Sequence, residues 1–229
     1  MDGKVSVTDA VRARWSCRAF LDRPVPRETV AEILEIAARA PSGGNLQPWH
    51  VHVLAGDALA GLKAKVAASL AADPKGEGTE FPVYPPGLAE PWRGRRFACG
   101  EQLYGAIGIP RDDRSARLMQ FARNFDLFGA PVGLFFSIPR HFGPPQWAHL
   151  GMFIQNVMLL AAERGLATCA QEAWAIVHRT VGEQLGLPPE RMLTCGMALG
   201  HADEAHPINQ WRTEREPVEA YATFAGFQE

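Results

Sequence analysis

The 229-residue chain is expected to fold as a single α+β domain. Stretches of helical period outnumber stretches of strand period. The strand stretches do not alternate regularly with helices, as a doubly wound parallel sheet requires. The composition is that of an ordinary globular protein, 47% hydrophobic and 21% charged, and the chain is long enough to bury one sizeable core.

The elements follow in order. Ser6-Val7-Thr8-Asp9 has the form S-x-x-D, a capping box that opens a short helix with Val7, Ala10 and Val11 at helical spacing. That helix runs into Arg14-Trp15-Ser16-Cys17-Arg18, and a turn with Pro24 and Pro26 follows. Val30, Ile33, Leu34 and Ala37 line one helical face, and the helix stops before Pro41 because the residue before a proline disfavours the helical region. Pro41 to Pro48 is a loop by composition. Trp49 to Leu54 reads as a strand, with Val51 and Val53 on one face and His50 and His52 on the other. Leu59, Leu62, Val66 and Leu70 mark another helix.

From Asp73 to Gly94 the chain is rich in Pro and Gly and has no period. So long a structureless connection suggests a functional excursion. Helices are expected over Arg95 to Ile107 and Arg114 to Phe125. Pro131 to Ile138 is a buried strand. Gln146 to Arg164 is apolar over well over half its circumference, and such a helix is buried or packs on another subunit. A short strand at Ala167 to Gln171, a helix from Ile176 to Leu185 and a strand from Met192 to Leu199 complete the pattern. The polar tail from Gly200 to Glu229 is ordered only where it docks.

Charge and composition exclude several classes. A net charge of −2 gives no electrostatic reason to expect nucleic acid or an anionic membrane as partner. No apolar run approaches the roughly 20 residues that span a bilayer. The first residues hold no apolar signal-peptide core, so the cytoplasm is the expected location. Cys17, Cys99, Cys169 and Cys195 form no C-x-x-C pair and are expected to be reduced and mostly buried. There is no G-x-G-x-x-G, no G-x-x-x-x-G-K-[ST], no H-E-x-x-H and no G-x-S-x-G. His50 and His52 could bind a metal, but no third ligand is evident nearby. A pair of polar or interfacial histidines is the expected reading, and no metal site is expected.

Two segments carry more. In Arg14 to Arg18, two guanidinium groups and a hydroxyl stand four residues apart at a helix end, suited to phosphate or the polar edge of a planar ring. A solvated basic turn has the same composition. In Ala40-Pro41-Ser42-Gly43-Gly44-Asn45-Leu46-Gln47-Pro48-Trp49, two prolines fix the ends and two glycines allow close backbone approach. Ser42, Asn45 and Gln47 offer neutral donors and acceptors for an amide-rich heterocycle. Alone, the loop is also a plain helix-to-strand turn.

R-x-S-x-R-x-F followed about two dozen residues later by A-P-S-G-x-N-x-Q-P-W resembles the FMN-dependent nitroreductase family. Gln146 to Gly165 is similar to its long central helix, Gly165 to Trp174 to its ring-lining segment, and Thr213-Glu214-Arg215-Glu216-Pro217 to its C-terminal basic motif. Tyr84-Pro85-Pro86, the Arg93 to Arg96 cluster and Phe121 to Phe125 resemble the nitrobenzoate-reductase-like branch. The resemblance spans nearly the whole chain. It implies a nitroreductase-like fold with a mostly antiparallel central sheet flanked by helices, in an intertwined homodimer with FMN at the subunit interface.

Roles follow from the resemblance alone. Arg14, Trp15, Ser16 and Arg18 would bind FMN from one subunit, Arg14 and Ser16 at the phosphate and Arg18 on the pyrimidine side. Arg215, with Arg212, would close on the phosphate. Pro41, Ser42, Asn45 and Gln47 would reach the cofactor from the partner subunit. Asn124 aligns with a residue at the pyrimidine edge, and the backbone of Glu172 and Ala173 would lie near N5. Ala173 stands where the family often has Gly. Thr213 stands where it often has Lys or Arg, which puts the role of Arg212 in question.

The implied activity is reduction of nitroaromatic, nitrobenzoate-like or quinone acceptors by NAD(P)H, in ping-pong order, with no side-chain nucleophile. Alternatives on the same fold are enone reduction, reductive dehalogenation, flavin breakdown or flavin binding with little turnover. A structural dimer without flavin stands outside it. The excursion over about 73–125 would roof the cavity for a small aromatic acceptor. Phe81, Tyr84, Trp92 and Phe97 would stack on it, and Arg93, Arg95 and Arg96 would attract a carboxylate. The same aromatics could equally pack the excursion, with the arginines facing water.

Overall fold

The computed structural model describes residues 5–227. The first four residues and the end of the expected tail, Gln228 and Glu229, lie outside it. Helix α1 (Val7–Ala13) begins where the Ser6 hydroxyl accepts from the Asp9 N–H at 3.1 Å and donates to the Asp9 carboxylate at 2.6 Å. Next come α2 (Arg27–Ala37), β1 (His50–Ala55), α3 (Gly56–Ala72), α4 (Trp92–Ala106) and α5 (Arg114–Ala122). They are followed by β2 (Val132–Pro139), α6 (Pro144–Glu163), β3 (Ala167–Gln171), α7 (His178–Leu185) and β4 (Arg191–Gly200).

The four strands form one antiparallel sheet in the order β1-β2-β4-β3. Helices α2 and α6 cover one face, where Ile33, Ala37, Phe153 and Val157 pack on Leu134, Phe136 and Met197. On the other face Leu62 and Val66 of α3 and Val181 of α7 pack with Phe135, Leu193 and Ala198. Trp174 is fully buried there, edge-on to Phe135 at 4.9 Å and to Phe125 at 5.6 Å. Gly196 makes room for it, since a Cβ at that position would lie 2.5 Å from Trp174 Cδ1.

Several expected helix boundaries move: α4 begins at Trp92 instead of Arg95, inside the expected structureless stretch, and α6 at Pro144 instead of Gln146, while two further shifts have a packing reason. The helix expected to reach Phe125 ends at Ala122, and a 3-10 segment, Arg123–Gly129, takes over. Leu127 and Phe128 adopt φ of 53° and 55°, strained for side-chain-bearing residues, and both are buried against the sheet. The helix expected from Ile176 begins at His178, because Glu172–Val177 is a 3-10 turn that seats Trp174 and Val177 in the core.

The excursion begins by docking. The Glu77 carboxylate accepts from the N–H groups of Arg179 at 2.7 Å and Thr180 at 3.1 Å, so it caps α7 from another part of the chain. Glu80 pairs with Arg140, and Phe81 stacks edge-on against Trp147 of α6 at 4.9 Å. Beyond it, α4 and α5 bury none of their residues.

Candidate functional site

The basic turn is held from both sides. Ser16 forms a parallel bridge to Thr168 of β3, and the Cys17 N–H donates to the Thr168 carbonyl at 3.0 Å. On the other side stands Asn209, which is buried. Its Oδ1 accepts from the Arg18 N–H at 2.8 Å, and its Nδ2 donates to the carbonyls of Ala19 and Asp203, both at 2.8 Å. The backbone between Ser16 and Ala19 is therefore clamped, and the side chains of Arg14, Ser16 and Arg18 are left to one cavity.

That cavity, about 550 Å³, is lined by Arg14, Trp15, Ser16, Arg18, Arg212 and Arg215, with Arg12, Gln155 of α6 and Trp211 at its margins. None of Arg14, Arg18, Arg212 and Arg215 has a carboxylate within 4.0 Å among the described residues. Burial, and then the charge of Arg215, hold Arg14 below its ordinary pKa. Arg215 Nη1 donates to Thr213 Oγ1 at 2.6 Å and to the Glu214 carbonyl at 2.8 Å. Thr213 therefore orients Arg215 rather than adding a charge. Arg212 stacks over the Trp15 ring at 4.3 Å and donates to the Asn209 carbonyl at 2.6 Å. Trp15 Nε1 is buried without an acceptor. Unpaired guanidinium groups beside an unsatisfied N–H form a site for an anion with oxygen acceptors. The residues fit a phosphate-bearing cofactor such as FMN.

At the far end of β3, three residues and about 10 Å from Thr168, stand Asn124, Glu172 and Ala173. Gln171 Nε2 donates to the Asn124 carbonyl at 2.8 Å and to Asn124 Oδ1 at 3.1 Å. Asn124 Nδ2 donates to the Phe121 carbonyl at 2.7 Å. Glu172 is open to water on its outer side, yet the surrounding protein raises its carboxyl pKa. Ala173 is half-buried against the core around Trp174.

The proline-bounded loop lies elsewhere in the protomer. The Gly43 N–H donates to His149 Nε2 of α6 at 3.2 Å. Ser42 Oγ accepts from the Gln47 N–H at 3.0 Å, and Gln47 Nε2 donates to the Asn45 carbonyl at 3.3 Å. Asn45 and Gln47 hold φ of 54° and 48°, a conformation that only a constrained loop retains in side-chain-bearing residues. Pro41, Asn45, Leu46 and Gln47 are exposed, and none of them, nor Ser42, lines the arginine cavity.

Parts of the excursion are already engaged within the chain. Phe81 is committed to packing on Trp147, and Arg93 and Arg95 are already paired, with Glu90 and Glu216, both at 2.8 Å. Of the three arginines, Arg96 lacks a carboxylate partner among the described residues, and it stacks over Tyr84 at 4.0 Å. Trp92 and Phe97 are 58% and 50% exposed. Helix α4 borders the C-terminal segment across a cavity of about 770 Å³, and Cys99 lines both this cavity and the arginine cavity. Cys17, Cys169 and Cys195 are buried thiols, with Cys17 pushed up to about 11 mainly by burial.

Sequence reasoning missed Asn209, Thr168 and Gln155. Nothing local marks them, because each acts on a segment far away in the chain.

The model of the nitroreductase family matches residues 11–201. The chain is 38% identical to a nitrobenzene nitroreductase of Ectopseudomonas oleovorans over 95% of this chain and 96% of that one. It is 41% identical to a 4-nitrobenzoate reductase of Nocardioides sp. (strain LMS-CY) over 93% and 87%. Its structure is similar to the crystal structure of the FMN and NADPH-dependent nitroreductase NfnB from sphigopyxis sp. strain HMH, with a TM-score of 0.94 and 48% identity over 97% of this chain and 100% of that chain. The family match over residues 11–201, the identity to such relatives over more than nine-tenths of the chain and the shared antiparallel α+β core show that the chain belongs to the nitroreductase family.

Proposed function

We propose that the protein is a homodimeric FMN-dependent oxidoreductase of the cytoplasm that uses NAD(P)H to reduce nitroaromatic acceptors of the nitrobenzene and nitrobenzoate class. The observation that carries this reading is the set of guanidinium groups without a carboxylate partner among the described residues around the buried N–H of Trp15, in a chain similar to nitroreductases over more than nine-tenths of its length. FMN, when bound, would supply the hydride-transfer chemistry between NAD(P)H and the acceptor.

The chain's own residues bind and orient. Arg14, Ser16 and Arg215 would hold the phosphate, Arg212 backs Trp15, and Arg18 would present its charge to the pyrimidine side of the ring. Asn124, Glu172 and Ala173 would border the ring at the end of β3. Pro41, Ser42, Asn45 and Gln47 complete the site from a second protomer, because in their own protomer they lie off the cavity. The exposed apolar side chains of Val7 and Val11 on α1, Leu46 on the loop and Met152 on α6 supply a face for that protomer. Tyr84, Trp92, Phe97 and Arg96 of the excursion form a roof for the acceptor. With no dinucleotide fingerprint in the chain, NAD(P)H and acceptor take turns in one place, and initial-rate plots are parallel.

The test is the absorption spectrum of the purified protein. Flavin bands should be present, bleach on addition of NADH or NADPH, and return on addition of 4-nitrobenzoate, nitrobenzene or a quinone. A colourless protein removes the cofactor assignment. Bleaching with no return on any nitroaromatic removes the acceptor class.

A further inference from the structure

Five buried side-chain polar atoms lack a hydrogen-bond partner among the described residues, and three of them lie on one face of the sheet. They are His52 Nδ1, Ser137 Oγ and Arg191 Nη1. We propose that His50, His52, Ser137 and Arg191 form a second anion site, separate from the cofactor cavity, for a small dissolved oxyanion of the phosphate and sulfate class.

The register of the sheet assembles the group. His50 of β1 stands opposite Ser137 of β2, and Ser137 and Pro139 stand opposite Leu193 and Arg191 of β4. A bulge makes this placement. Phe136 pairs with Cys195, but Ser137 pairs with Leu193, so Thr194 is the extra residue, and its hydroxyl donates to the Phe136 carbonyl at 2.9 Å. The bulge lets Cys195 point into the α2–α6 core while Leu193, two residues earlier, points into the α3–α7 core. Ser137 and Arg191 are thereby kept on the same side as His50 and His52.

The chemistry selects an anion. A guanidinium group only donates, so a buried Nη1 calls for an oxygen lone pair. The Ser137 hydroxyl and a His52 Nδ1–H can donate to the same oxygens. The two imidazoles lie 4.8 Å apart, edge to face. Burial first, and then the charge of Arg191, depress the pKa of His50, while His52 is depressed by burial, His50 and Arg191. Arg191 has no carboxylate within 4.0 Å among the described residues. The adjoining cavity, about 320 Å³, brings Arg140, His178 and Arg179 as further basic groups. Its acidic residues are Glu80, which is engaged by Arg140, and Glu183. The positive charge at Arg191 repels a metal cation.

The experiment uses protein saturated with FMN, so that the arginine cavity is filled. Its imidazoles are labelled with ¹⁵N, and inorganic phosphate is titrated in at constant ionic strength. The resonances of His50 and His52 should move saturably, and both pKa values should rise by about one. Arg191→Gln and Ser137→Ala should each weaken this response at least about 10-fold, with flavin content and turnover unchanged. Ser137→Ala removes a single hydroxyl, so it keeps the test open if Arg191→Gln fails to fold. Shifts that do not saturate, or that persist equally in both variants, overturn the proposal. So does no shift with phosphate or sulfate, which would leave an ordered water as the partner of these atoms.

Discussion

Arg14 and Arg215 approach each other across one cavity with no carboxylate between them, and the charge of Arg215 adds to burial in holding Arg14 below its ordinary pKa. Two like charges kept together in the free protein are a cost that an anion removes. Arg14→Ala and Arg215→Ala should therefore each weaken FMN retention roughly 10- to 100-fold, as the loss of a charge-assisted hydrogen bond implies. In the FMN-free protein, Arg215→Ala should not lower the melting temperature, because it relieves repulsion. Equilibrium dialysis against FMN and thermal melts of the stripped protein measure the two effects. Unchanged retention in both variants would count against the phosphate assignment.

The loop of Asn45 and Gln47 and the cavity of Arg14 lie apart in one protomer. If they meet across a dimer, each site needs one of each. Arg14→Ala chains mixed and refolded with Gln47→Ala chains should form heterodimers with one intact site and one doubly damaged site. Bound flavin per heterodimer should be about half that of the wild type, and above that of either variant alone. Flavin absorbance after separation of differently tagged heterodimers reads this directly. No recovery would sink the shared site.

Asn209 satisfies three backbone groups at once, including the N–H of Arg18. Asn209→Ala leaves them unpaired in a buried place, and should cost about 2–4 kcal/mol of stability. Because the same bonds hold the turn, FMN affinity should fall further than global destabilisation accounts for. Urea unfolding and dialysis, run at a temperature where the variant is folded, separate the two contributions.

Glu77 gives a stability effect with a definite sign in pH. Its burial opposes ionisation, but the Thr180 hydroxyl and the N–H groups of Arg179 and Thr180 outweigh it, and the folded pKa lies below the ordinary 4.5. A depressed carboxylate stabilises the fold fully above the unfolded value and loses that contribution as pH falls through the folded value. Glu77→Gln should lower stability at neutral pH and flatten the acid limb below about 4.5. Denaturation midpoints between pH 7 and pH 3 check it. An acid limb as steep as the wild type's would show that the cap is not made.

The sequence by itself determined the helix faces, the strands and the two segments proposed to hold the cofactor. Val30, Ile33 and Ala37 are buried on one face of α2, and Leu150, Phe153, Val157 and Ala161 on one face of α6, because helical period is a property of the local backbone. The Arg14–Arg18 turn and the Pro41–Pro48 loop were legible from their residue types. Only the tertiary structure decided which of these groups are free to bind. Arg93 and Arg95 are taken by Glu90 and Glu216, and Phe81 by Trp147, whereas Arg14, Arg18, Arg212 and Arg215 keep their charges unpaired around one cavity. It also decided that Asn209, 191 residues from Arg18, clamps the turn, and that a bulge at Thr194 gathers Ser137 and Arg191 beside two histidines. Periodicity acts between neighbours in sequence, so it can be read one segment at a time. Charge neutralisation and hydrogen-bond satisfaction act across a few ångströms of space, and they are settled only when distant segments meet.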